Sequence, residues 1–74
     1  MKRISIYTEY IKLDQFLKLA GIISTGGEAK SFITGRDVFV NGEIEKRRGR
    51  KLKHNDVIKV DNDTYVIEQA GVET

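Results

Sequence analysis

The spacing of the apolar residues changes period along this chain, and that change restricts the fold more than any other feature. Ile4 and Ile6 alternate with polar neighbours, as in a strand with one face turned to a core. From Ile11 the interval lengthens. Ile11, Phe16, Leu17 and Ala20 fall near helical spacing and Gly21 offers a left-handed stop, which predicts a first helix over residues 11 to 20. Ala29, Phe32 and Ile33 repeat the helical interval before Gly35, and short alternating runs return from Val38 onward. The expected order is β-αα-ββ-ββ. Helices grouped between strands imply an α+β class: two helices forming an αα-hairpin that covers one side of a small, twisted antiparallel sheet.

Local signals sharpen the boundaries. Thr25-Gly26-Gly27-Glu28 has the form of a capping box, in which the Thr25 hydroxyl accepts from the Glu28 amide and the Glu28 carboxylate accepts from the Thr25 amide, so the second helix is expected to start there. Asn41-Gly42 between Val38-Phe39-Val40 and Ile44 predicts a hairpin, because both residues readily take positive φ. Its register stays open. A two-residue turn sets Phe39 opposite Ile44 and puts Val38 and Val40 on the other face, so that burying both valines is a reason to expect a bulge. Val57, Ile58 and Val60 predict a strand, Asn62-Asp63 a turn, and Tyr65 to Ile67 the returning strand. Phe16, Phe32 and Phe39 are expected in the core, and a loose tail from about residue 70. At 74 residues the chain is expected to be one domain, and with no cysteine it relies on that core alone, for a stability of roughly 3 to 5 kcal/mol.

The net charge of +2 conceals a dipole. Residues 46 to 55 carry six cations and no acid, while residues 56 to 74 carry five acids against Lys59. A concentrated basic stretch attracts polyanions through counterion release. Catalysis finds little support: the single histidine, His54, lies between Lys53 and Asn55 and reads as an exposed imidazole, and no nucleophile and base stand at a telling spacing. Asp61, Asn62 and Asp63 lack the following glutamate of a calcium loop, so neither a metal nor another cofactor is expected. The opening residues lack the apolar stretch of a signal peptide and no segment approaches a membrane span, so the expectation is a cytoplasmic, monomeric protein with no membrane partner.

Lys46-Arg47-Arg48-Gly49-Arg50-Lys51-Leu52-Lys53 is the most informative stretch, because it follows a hairpin instead of lying in a tail. A basic run in general is only a solvated loop or a localisation signal. Flanking strands would hold these arginines in set directions, and a guanidinium presents a rigid fork of donors suited to phosphate. Gly26 and Gly27 form a second constellation, with Lys30 one turn on. They expose the first amides of a helix to an anion, or else they only permit a tight turn between packed helices. Tyr7, Tyr10 and Tyr65 do not cluster in sequence, so a platform for stacking single-stranded bases is not expected.

Ile11-Lys12-Leu13-Asp14-Gln15-Phe16-Leu17-Lys18-Leu19-Ala20-Gly21, then Ala29, Ile33, Gly35, Val38, Val40-Asn41-Gly42, and finally Asn55-Asp56 with Ile58 and Val60, resembles the αL or S4-like RNA-binding domain. The resemblance covers about residues 11 to 60. It is strongest to the stand-alone bacterial YaaA/YbcJ-like type, through LDQFLKLAG, GGEAK and RRGRKL. What it implies is non-catalytic binding of structured RNA, ribosomal or tRNA-like, by the helix pair and the adjoining basic loop, with ribosomal subunit proteins as further partners. The family carries this module in ribosomal proteins, pseudouridine synthases, a tyrosyl-tRNA synthetase and a ribosome-associated heat-shock protein. By position, Lys12 stands where the family usually has Arg, and Thr25 at the usual Ser. Gly26 departs from a common Arg, and Asn55 replaces a common Gly. The expected RNA-binding residues are therefore Lys12, Lys18, Thr25, Gly26, Gly27, Lys30, Lys46, Arg47, Arg48, Arg50, Lys51 and Lys53. The competing reading is an assembly module that docks on a ribosome-linked protein through the acidic strand and tail, residues 61 to 73.

Overall fold

A computed structural model describes residues 1–71. Strand β1 spans Lys2–Ile6 and a two-residue strand β2, Ile11–Lys12, runs directly into helix α1, Leu13–Leu19. A 3-10 turn, Gly26–Glu28, opens helix α2, Ala29–Gly35. Strands β3 (Val38–Val40), β4 (Glu43–Ile44), β5 (Lys51–Leu52), β6 (Val57–Val60) and β7 (Asp63–Gln69) follow. Five strands form one sheet in the order β1-β7-β6-β3-β4, and β2 pairs with β5 in a separate two-stranded ribbon. The architecture is α+β, as the period changes imply.

The main sheet is mixed, not wholly antiparallel, because β1 lies parallel to β7, with Ile4 opposite Ile67. Strands joined by a tight turn must run antiparallel, but β1 and β7 are separated by nearly the whole chain and no turn dictates their sense. One continuous core joins the layers: Leu13, Phe16 and Leu17 from α1, Ala29 and Ile33 from α2, Val38, Val40, Ile58, Tyr65 and Ile67 from the sheet, and Leu52 from the ribbon. The Phe16 and Tyr65 rings pack edge to face, with centroids 5.4 Å apart and planes at 83°.

The first helix is shorter than its periodicity suggests. Ile11 and Lys12 are taken into the ribbon, antiparallel to Leu52 and Lys51. Its C-terminus is a Schellman turn: Gly21, at φ +76°, donates to the Lys18 carbonyl at 3.0 Å, and Ile22 to that of Leu17 at 2.9 Å. The capping box before α2 is displaced. Thr25 makes no side-chain cap, and the Glu28 carboxylate accepts from the Ser24 amide at 3.2 Å instead, as the chain tightens into the 3-10 turn.

The β3–β4 hairpin has the two-residue turn, with Asn41 at φ 52° and Gly42 at 86° and Phe39 opposite Ile44. No bulge is needed. Val38 and Val40 share the helix-covered face, so Phe39 falls on the outer face and is only half-buried, contrary to its expected place in the core. The β6–β7 turn comes one residue early, at Asp61-Asn62, since Val60 pairs with Asp63. Of the expected loose tail, Ala70 donates its amide to the Ile6 carbonyl at 2.7 Å, and residues 72–74 lie outside the described residues.

Candidate nucleic-acid interface

The basic loop between β4 and β5 is anchored at both ends and in the middle. Its C-terminal end enters the β2–β5 ribbon. Its carbonyls cap the first helix: the Leu13 amide donates to Arg50 at 2.8 Å and the Asp14 amide to Arg48 at 3.0 Å. These are first-turn donors that the helix cannot satisfy internally, so the loop and α1 are mutually dependent. The middle is organised by Glu45, which is 6% exposed. One of its carboxylate oxygens accepts from the amides of Lys46 and Arg47 and from Arg47 Nε, and the other accepts from one terminal nitrogen each of Arg47 and Arg50 at 2.9 Å. The Arg47 hydrogen bond, above all, holds the Glu45 carboxyl down at about 2, with burial opposing and Arg50 assisting.

The six cations of the run therefore differ in role. Arg47 and Arg50 are aimed by Glu45, which also offsets one unit of their charge. Lys46 is diverted to structure: its ammonium donates to the carbonyls of Ile33 at 2.9 Å and Arg36 at 3.0 Å, at the end of α2. Among the described residues, Arg48 and Lys53 make no side-chain hydrogen bond, and both are exposed. Lys51 lies opposite Lys12 in the ribbon. Arg47, Gly49, Arg50, Lys51 and Lys53 line an open concavity floored on one side by Asp56. The Asp56 carboxylate is held by the Asn41 side-chain amide at 3.1 Å and the Lys53 backbone amide at 2.7 Å.

The remaining expected site residues lie elsewhere. Lys18 is exposed in the last turn of α1, beside Leu19 and Gln15. Thr25, Gly26, Gly27 and Lys30 sit at the opening of α2, where the Glu28 carboxylate is held close by through the Ser24 amide. The acidic stretch is largely engaged: Asp61 pairs with Arg36 at 2.7 Å, Asp63 with Lys2 and Glu68 with Arg3, each at 3.6 Å. Glu73 lies outside the described residues.

His54 is not the exposed imidazole its neighbours suggest. It is half-buried, and its Nδ1 accepts from the Gln69 amide at 2.9 Å, so it ties the loop after β5 to the end of β7. No cluster of His, Cys, Asp and Glu able to hold a metal occurs among the described residues, and no helix there is long and apolar enough to cross a membrane. Sequence reasoning missed Glu45 altogether. The only signal was an acid directly preceding a run of cations, at a position that the hairpin alternation turns inward.

The sequence model of the S4 domain family matches residues 4–68. The chain is also similar to the probable ribosome maturation protein RlbA of Bacillus subtilis (strain 168), at 53% identity over 58 residues that cover 78% of this chain and 82% of the relative. The family match extends beyond the motif-bearing stretch at both ends to take in the last three residues of β1 and nearly all of β7, the parallel pair of the sheet. With its helix pair, hairpins and basic loop in the matched order, the chain belongs to the S4 domain family.

Proposed function

We propose that the chain binds structured RNA without catalysing a reaction on it, and that its ligand is ribosomal RNA or a tRNA-like element met during ribosome maturation. The observation that carries this reading is the basic loop clamped to the start of α1, with Arg47 and Arg50 held by a buried carboxylate, Lys51 and Lys53 exposed around the same concavity, and Arg48 exposed on the same loop. Preorganised guanidinium forks lose little freedom on meeting phosphate, which favours a surface that tracks an RNA backbone. The S4 family membership and the ribosome maturation relative supply the ribosomal context. Gly26, Gly27 and Lys30, with Lys12 in the ribbon and Lys18 on the first helix, extend the proposed contact surface beyond the loop. Lys46 contributes by shaping the loop, since its ammonium is engaged with α2.

Salt dependence tests the proposal. Each phosphate neutralised contributes a slope of roughly −0.7 to −0.9 to log affinity against log salt. Arg48→Ala combined with Lys53→Ala leaves the Glu45 cluster intact, should leave the fold unaltered, and should flatten the slope by about two units on structured ribosomal RNA fragments. Equal slopes for the folded double variant and the parent protein would refute phosphate contact by this loop and shift weight to a protein partner.

A further inference from the structure

The β2–β5 ribbon brings an aromatic residue into the basic surface. Ile11 and Leu52 are paired and face the core, Leu52 fully buried, so the pleat turns Lys12 and Lys51 outward. Tyr10 and Lys53, one residue beyond the paired positions on each strand, are exposed with them. Tyr10 is 36% exposed and the Lys51 ammonium stands 4.8 Å from its ring centroid. The backbone before the ribbon is braced, since the Thr8 hydroxyl donates to the Tyr10 carbonyl at 2.7 Å. The aromatic ring is thus part of a lysine-rich face, at a position that the linear spacing of the tyrosines conceals.

We infer that Tyr10, with Lys12, Lys51 and Lys53, forms a subsite for one unpaired nucleotide, the base stacking on the Tyr10 ring and the lysines meeting the flanking phosphates. The inference rests on the RNA-binding reading above and narrows its substrate class: the preferred RNA is a duplex flanked by unpaired residues, such as an overhang, bulge or loop, in place of a continuous duplex. A tyrosine face accepts any base, so the subsite reads strandedness and not sequence.

The test compares a blunt RNA duplex of about 16 base pairs with the same duplex carrying a short unpaired 3′ extension. The parent protein should bind the extended RNA on the order of tenfold more tightly. Tyr10→Leu should lose that margin while keeping its affinity and salt slope on the blunt duplex, and Tyr10→Phe should retain the margin. 2-Aminopurine at the first unpaired position should be quenched in the complex with the parent protein, a readout that does not depend on any variant folding. Equal binding of the two RNAs by the parent protein, a margin that survives in Tyr10→Leu, or an unquenched probe overturns the subsite and leaves RNA binding standing. Binding to neither RNA overturns both.

Discussion

Glu45 holds more of the basic loop in place than any single cation does. A buried carboxylate that accepts five hydrogen bonds from two arginines and two amides both fixes the loop and limits its charge. Its carboxyl titrates near 4.5 in the unfolded chain and at about 2 in the folded one, so the unfolded state takes up the proton first as pH falls. The stability contributed by Glu45 is complete above about 4.5, erodes between 4.5 and 2, and is gone below that window. Urea midpoints of the parent protein and Glu45→Gln should therefore converge as pH drops through it, and a constant gap would show that the cluster does not hold the charge. Lys46 and Arg48 make a contrasting pair. Lys46→Met, which removes two hydrogen bonds to carbonyls at the end of α2, should cost about 1 to 2 kcal/mol while leaving the salt slope of RNA binding nearly unchanged. Arg48→Ala should do the opposite, with a stability change within about 0.5 kcal/mol and a slope flatter by about one unit. A run of six cations in eight residues is legible in any sequence; which of them face a ligand is not, because that depends on what the intervening backbone is bonded to.

At the scale of elements, local chemistry and local structure agree where a feature is confined to neighbouring residues. Gly21 ends α1 through short-range hydrogen bonds, and Asn41-Gly42 closes its hairpin with two positive φ angles. Where two elements compete for the same residues, the local signal misleads. Ile11 fits the helical period, yet the ribbon with Lys51 and Leu52 claims it. The opening of α2 shows the same limit: Thr25-x-x-Glu28 contains the parts of a capping box, but the 3-10 turn leaves the Thr25 hydroxyl without a cap bond. Thr25→Ala should consequently change the unfolding free energy measured in urea by less than about 0.5 kcal/mol, in place of the 0.5 to 2 kcal/mol of a working cap. The adjacent Gly26 has no positive φ, and a Cβ added there meets nothing within 4 Å. Gly26→Asp should fold, and it should weaken RNA binding by placing an anion beside the exposed amides; undiminished affinity in the folded variant would reduce the two glycines to turn residues.

The whole molecule depends on a contact between its two ends. β1 pairs with β7 over five positions, and Ile6 is 4% exposed within the same core as Leu17 and Ile67. Ile6→Ala should cost about 2 to 5 kcal/mol, comparable to Leu17→Ala. In a domain this small that approaches the full stability of roughly 3 to 5 kcal/mol, so thermal unfolding should find the variant largely unfolded near room temperature. A loss below about 1 kcal/mol would mean that β1 is an accessory strand and that the core closes without it.

The α+β class, the helix pair, the tight hairpin and the basic character of residues 46 to 53 follow from the chain alone, because each rests on periodicity, turn chemistry or charge within a few adjacent residues. The parallel sense of β1, the outward placement of Phe39, the capture of Lys46 by α2, the burial of Glu45 beneath two arginines and the arrival of Tyr10 among lysines all arise between residues distant in sequence. Such contacts form only when burial of the shared apolar core brings the segments together, and the local periodicity of neither partner records the other.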